Sequence, residues 1–361
     1  MIKPSLSVLQ ISMLIIITIG LDNHVTVIPL LLRAANKDSW IGVLIALIPC
    51  ALWTYLPYAI GKRSGQQPVL AFLKQRVGAF ASISAFAVFF VILLCNAGIT
   101  FKEVILWTKI TYLPATPMLA TSLTLIGLCV FSAYKGIKTI AITTGVLLPF
   151  VWLFGYFVMT ANFQYKRYGL LLPSFTNSVS DFMDCILYAA SSFMQMFVVV
   201  LLQHHLRDKL RWRHLVIVIL LIAMLTIGPL IGSIAAFGLE SALMRYPAFE
   251  QWRLVRIGDY ISHVDFLSIY QWMSGAYILI SLMLYLMAEI VRTVMNVPKM
   301  ATILVMALVL LVFVNMPQIG DIEFIDFISW YYRGSFFLIA AFSIALFAAS
   351  FKSSKRKAGA R

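Results

Sequence analysis

Apolar runs of about twenty residues recur along almost the whole sequence, and the polar connections between them are short. Coiled as an α-helix, a run of that length matches the hydrocarbon thickness of a bilayer. Lipid offers no partner to a free backbone amide or carbonyl, so each such span closes its hydrogen bonds within itself. The runs fall at residues 6–32, 39–60, 79–101, 115–134, 138–160, 183–203, 214–238, 264–290, 300–316 and 333–351, ten spans in all. The chain is 61% hydrophobic and 12% charged, whereas soluble domains carry about a quarter charged residues. One all-α integral membrane domain over residues 1–361 is therefore expected, since the connections are too short to hold a core of their own. The first run follows Lys3, exceeds a signal-peptide apolar region and lacks a small-x-small cleavage site after it, so it is expected to stay on the mature protein.

Charge sets the orientation. Ten spans put both termini on one side, and placing them inside gathers most of the 28 Lys and Arg there. These are Lys3, Lys62, Arg63, Lys74, Arg76, Lys135, Lys138, Arg207, Lys209, Arg211, Arg213, Arg292, Lys299 and the tail 352–361, "KSSKRKAGAR", against Asp208 and Glu289. The positive-inside rule then makes both termini cytoplasmic. The net charge of +14 is explained by topology and lipid headgroups rather than by a nucleic-acid partner, because the basic residues are scattered over loops instead of gathered on a domain. Between spans two and three, Val69, Leu70, Leu73 and Val77 at helical spacing, with Lys74 and Arg76 opposite, predict an interfacial helix. Spans four and five are joined by "KGIK", a tight hairpin, and Cys50, Cys95, Cys129 and Cys185 are read as packing residues.

Ten spans divide into halves of five, residues 1–160 and 161–351, and an odd number per half inverts the second against the first, as in many secondary transporters. In that plan the first helix of each half, spans one and six, is broken near the midplane and offers free backbone groups to a ligand. Span one carries "TIGLDNHVTVIP". Gly20 loosens the helix, Pro29 cannot donate to Val25, and Asp22, Asn23 and His24 lie between them. A carboxylate at the centre of a span costs about 2.5–3.5 kcal/mol to insert and faces a partner or a cavity. Two readings follow. Asp22 and His24 pair with each other or with Asn96 and hold helices together, or they line a cavity where Asp22 takes an ammonium group or a proton and His24 tunes it.

Span six contains Tyr188, Ala189, Ala190, Ser191, Ser192 and Gln195, a small, hydroxylated stretch suited to a break or to ordinary helix packing. Span three adds Cys95, Asn96, Gly98 and Thr100, and span eight sets Ser268, Gln271 and Ser274 on one face, with Tyr270 and Trp272 read as packing. His204 and His205 beside the basic loop are read as solvated, since adjacent histidines on a helix cannot face one metal. Asp321, Glu323 and Asp326 are placed in an outer loop without the His or Cys a metal site needs. No nucleophile–base pairing and no phosphate-binding glycine loop is found, so neither an enzyme nor a cofactor nor a metal is expected.

Taken in order, these features resemble the B subunits of bacterial spore germinant receptors, the spore-permease branch of the amino acid-polyamine-organocation transporter superfamily. The likeness covers nearly the whole chain. It rests on its length and ten spans, "IPLLLR" ending the first, "SGQQPVLAFLKQRVG" after the second, "LLPSF" before the sixth and "ISHVDFLSIYQWMSGAYI" for the eighth. The resemblance implies a LeuT-like inverted five-plus-five repeat with helices one and six broken. It also implies a nutrient-sensing subunit of the spore inner membrane, working with a receptor A subunit and a lipoprotein C subunit. A small germinant would sit among spans one, three, six, eight and ten, which points to Gly20, Asp22, Asn23, His24, Asn96, Tyr188, Ser191, Ser192 and Ser274. Many members have Gly-x-Gly where this chain has Asp22-Asn23-His24. That departure disfavours a neutral amino acid held by its carboxylate and leaves open a cationic, sugar or other co-germinant, or a changed task. The competing functions are a proton- or Na⁺-coupled transporter of amino acids or amines, and a structural or ion-conducting subunit.

Overall fold

Ser7 starts the first helix with a capping box. Its hydroxyl accepts the Gln10 amide at 3.2 Å, and Gln10 Oε1 accepts the Ser7 amide at 2.9 Å, so two amides at the helix end find partners. The computed structural model describes residues 5–172, 177–258, 262–316 and 320–352. Lys3, residues 173–175 of "LLPSF" and all of the basic tail after Lys352 lie outside the described residues.

From the cap, α1 (Val8–Asp22) passes through a π-helical turn (Asn23–Val27) into α2 (Ile28–Ala35). Next come α3 (Ser39–Trp53), α4 (Tyr55–Ser64), α5 (Val69–Val77), α6 (Ala79–Thr111), α7 (Met118–Lys135) and α8 (Ile137–Ala161). The second half holds α9 (Val179–Met194), α10 (Val198–Leu202), α11 (Trp212–Phe237), α12 (Pro247–Arg253), α13 (Leu267–Met295), α14 (Lys299–Asn315) and α15 (Asp321–Ala349). Among the described residues, eight helical stretches are long and apolar enough to cross a membrane. The first, Val8–Ser64, covers 57 residues and is interrupted at Asn36, whose φ is 43°; α14 is a shorter apolar helix.

Two expectations about local structure are seen directly. The segment between spans two and three is helical as α5 and buries Val69, Leu70 and Leu73. The α7–α8 hairpin turns at Gly136, whose φ of 105° suits a residue without Cβ. Two boundaries differ. α6 continues to Thr111, which brings Lys102 and Glu103 inside a helix. α15 begins at Asp321, so the acidic cluster expected in an outer loop occupies the first turns of a helix, where carboxylates meet the positive end of its dipole.

The expected breaks, with backbone groups left free, are not seen: span one runs on helically through Asp22, and span six runs on from Val179 to His205. In span one the ladder shifts register instead of unwinding: the Ile28 amide bonds to the Asn23 carbonyl five residues back, just before Pro29. A π-turn of this kind absorbs a misfit within a helix. Span six carries a 3₁₀ turn, Gln195–Phe197, between α9 and α10, which begins at the last residue of the stretch that suggested a break. The stretch Val179–His205 is the most enclosed, with 83% of its most apolar window buried, against 28% for Ile137–Ala161. α1 packs among α8, α11 and α13, while α9 packs on α3 and α15. Outward-facing Leu123, Phe131, Leu304 and Leu308 leave an apolar periphery, as a lipid-facing surface requires.

Candidate functional site

Successive residues on a helix point about 100° apart, and the structure sends Asp22, Asn23 and His24 to three different sets of neighbours. Asp22 Oδ2 accepts the Tyr332 hydroxyl at 2.6 Å, while Oδ1 accepts the Thr26 hydroxyl at 3.2 Å and the Thr100 hydroxyl at 3.3 Å. The first helix, α6 and α15 therefore meet at one buried carboxylate. Asn23 Nδ2 donates to Thr226 Oγ1 at 2.8 Å, and its Oδ1 accepts the Ser192 hydroxyl, which joins span one to spans six and seven.

His24 faces elsewhere. Its Nδ1 lies 2.7 Å from the Gly20 carbonyl; a carbonyl only accepts, so Nδ1 carries the proton. The ring lines a cavity of about 170 Å³, mostly apolar, with Trp152, Leu225, Trp252 and Lys166. The carboxylate lines a separate, smaller cavity with Thr26, Thr100, Glu103 and Trp272. Asp22 and His24 do not pair, and neither bonds to Asn96. Gly20 is a packing position as well as an acceptor, since a Cβ there would come within 2.8 Å of Leu225 Cδ1.

Asn96 Nδ2 donates to Gln195 Oε1 at 2.8 Å. Asn96 Oδ1 and Gln195 Nε2 are buried and make no hydrogen bond of ordinary length, with the Tyr331 hydroxyl near Asn96 and the Tyr332 hydroxyl near Gln195; both amides line a third small cavity with Thr18 and Leu279. Ser191 Oγ is 2.8 Å from Ser335 Oγ on α15. Tyr188 is not part of this network: its ring faces Arg333, which pairs with Asp184 at 2.6 Å. Ser274 is buried on α13 beside Tyr270 and lines none of these three cavities.

The Asp22 cavity is capped toward the 238–258 connection. Glu103, wholly buried, forms an ion pair with Arg245 and takes a hydrogen bond from Tyr246. Burial and the Glu103 carboxylate push the Tyr246 phenol above its usual range, so it remains a donor. Trp107 and Trp272 pack with centroids 4.2 Å apart beneath this pair, and Tyr246 meets Trp272 edge-on at 5.1 Å. Trp272, read from sequence as packing, thus also lines the cavity.

The sequence reading missed Tyr332, Thr226, Ser335, Glu103 and Arg245. A signal existed for Glu103, since an acidic residue so soon after an apolar run invites extension of that run. Tyr332 carried none. The two histidines after span six are the clearest correction. His205 is 1% exposed rather than solvated, and both imidazoles turn toward Glu289 at 3.4 Å. They lie at the end of a 3₁₀ turn, Gln203–His205, where the chain leaves the helix for extended backbone at Leu206, and both rings come to one side with centroids 4.0 Å apart.

Comparison with known proteins agrees with this architecture. A family model described as spore germination protein, the spore permease model, matches residues 5–321. Spore germination protein XB of Bacillus anthracis is 33% identical over 339 residues, 94% of each chain. Among solved structures, the transporter MhsT in complex with L-phenylalanine superposes with a TM-score of 0.65 at 13% identity, covering 93% of this chain and 91% of that one. A Na⁺-coupled sialic acid symporter in a substrate-bound outward-open state gives 0.59 at 12% identity, covering 96% and 78%. At these identities the likeness shows a LeuT-like transporter fold and nothing of the ligand. The chain therefore belongs to the spore germination protein family, as an integral membrane protein of permease-like architecture.

Proposed function

We propose that this protein is the germinant-sensing membrane subunit of a spore nutrient receptor, binding a small nutrient where spans one, three, six and ten converge. The observation that carries this reading is the buried Asp22 carboxylate at the π-turn, ringed by Thr26, Thr100 and Tyr332, beside the Asn96 and Gln195 amides, whose Oδ1 and Nε2 make no hydrogen bond of ordinary length. Unpaired buried polar atoms are costly, and a ligand with matching groups removes that cost. The carboxylate favours a ligand bearing an ammonium group or several hydroxyls and repels one presenting a carboxylate to it. Amino acids bound through their ammonium end, amines and sugars all fit this rule.

In this reading α1 to α15 supply ten spans in an inverted five-plus-five arrangement, with Val8–Ser64 and α14 providing the spans beyond a simple count of long helices. Both termini face the cytoplasm, the protein resides in the spore inner membrane among its lipids, and it works with a receptor A subunit and a lipoprotein C subunit. Ligand binding drives signalling by favouring one conformation over another.

The test is a thermal-shift screen of amino acids, amines, sugars and nucleosides on the purified protein. A ligand at a hundred times its Kd adds about 2.7 kcal/mol to the stability of the bound state. Asp22→Asn is expected to abolish the shift given by the wild-type ligand and to suppress germination by that nutrient; an unchanged shift and response would sink the assignment. A second reading, a secondary transporter coupled to protons or Na⁺, draws on the likeness to two transporters. Concentrative uptake of the same ligand into proteoliposomes holding this chain alone would favour it.

A further inference from the structure

We propose that His204, His205 and Glu289 form a binding site for a divalent transition-metal ion of the zinc class, joining the end of span six to the end of span eight. The site is separate from the Asp22 network and does not depend on the function proposed above.

Three donor groups converge. His204 Nε2 lies 3.4 Å from Glu289 Oε1, and His205 Nε2 lies 3.4 Å from each oxygen of the same carboxylate. The imidazoles stand side by side with ring centroids 4.0 Å apart. One ligand atom from each of the three residues fits within a span of 4.8 Å. Hydrogen bonds between an imidazolium and a carboxylate are typically shorter, about 2.7–2.9 Å. Ligand atoms held about 2.0–2.1 Å from a tetrahedral zinc ion sit roughly 3.3–3.4 Å from one another. The nitrogen–oxygen separations match those of ligands around an ion more closely than those of an optimised imidazolium–carboxylate hydrogen bond.

The surroundings support the same chemistry. Tyr285 places its hydroxyl 3.0 Å from Glu289 Oε1 and 3.1 Å from His205 Nε2, where it can fix the carboxylate or serve as a fourth ligand. Lys299 lies over the face of the Tyr285 ring, 4.6 Å from its centroid, and donates to the Tyr134 carbonyl at 3.1 Å. Side-chain exposures of 10% for His204 and 19% for Glu289 leave a path for an ion from water. Two imidazoles with a carboxylate form a ligand set that zinc accepts and magnesium or calcium does not favour.

The position gives such an ion a mechanical effect. The His205 carbonyl accepts the Ser5 and Leu6 amides at 2.9 and 3.0 Å, and the Arg207 amide donates to the Leu6 carbonyl at 2.9 Å. The turn that carries both histidines is thus already fastened to the strand leading into α1. An ion would add span eight to that fastening and hold the ends of spans one, six and eight together.

The experiment uses untagged full-length protein in nanodiscs, stripped with chelator and titrated with Co²⁺. One Co²⁺ per chain is expected, with the visible absorption of a four-coordinate ion, displaced by Zn²⁺ and not by Mg²⁺ or Ca²⁺. Glu289→Gln and the double variant His204→Gln/His205→Gln should each lose affinity by more than about 100-fold, whereas His214→Gln/His263→Gln should keep it. In wild-type protein, Zn²⁺ should also protect His204 and His205 from diethylpyrocarbonate, read by mass spectrometry. Absence of saturable micromolar binding to the wild type, binding undiminished in both site variants, or histidines modified equally with and without Zn²⁺ would overturn the site.

Discussion

A buried carboxyl group needs protein partners in place of water, and Asp22 has three hydroxyl neighbours. Leaving a buried polar atom without its partner costs about 1–3 kcal/mol. Tyr332→Phe should therefore lower the thermal stability of the ligand-free protein by about that amount, measured as an earlier unfolding transition in detergent. The Glu103–Arg245 pair allows a sharper test. Removing one partner of a buried pair costs about 3–5 kcal/mol because the other charge is left uncompensated. Arg245→Gln should destabilise on that scale, while the double variant Glu103→Gln/Arg245→Gln should recover most of the loss, giving a measurable coupling energy. Asp22 was legible in the sequence because a charge within an apolar run stands out. Tyr332 was not, because a tyrosine pair near the end of a span reads equally well as an interfacial anchor. Its role depends on a contact between residues 310 positions apart, which no local pattern encodes.

Spans were legible for the same reason that membranes tolerate few structures: length and apolarity fix a helix without reference to its neighbours. Interruptions were less so. Gly20 and Pro29 identified where span one departs from regularity, but whether the backbone unwinds or shifts to a π-turn is decided by the helices around it. Close approach was equally hidden. A Cβ on Gly275 would come within 2.3 Å of Leu21 Cδ1 and 2.6 Å of Leu21 Cβ, so α13 rests against α1 through a bare backbone. Overpacking of this kind costs about 1–3 kcal/mol. Gly275→Ala is expected to lower the unfolding temperature, and adding Leu21→Ala should restore part of it; additive losses would show that the two positions do not meet.

For the molecule as a whole, basic loops and polar seams have to agree on one orientation. In a background without cysteine, Lys62→Cys and Arg211→Cys are expected to react with a membrane-impermeant maleimide only after the cytoplasmic face is opened, and Leu243→Cys before it. All three positions are exposed on connections or helix ends. The reverse pattern would overturn the proposed orientation and place the His204–His205–Glu289 cluster on the outer face.

The bridge between Leu6 and Leu206 also bears on how the protein is made. The Val8 amide reaches Asp208 across 200 residues of sequence. At roughly 5–20 residues per second, the first segment waits roughly 10–40 s for its partner to leave the ribosome. Through that interval the Ser5, Leu6 and Val8 amides lack the partners they have in the finished fold. Assembly of the second half thus completes the first, so a chain truncated before residue 205 has lost the partner of its own beginning.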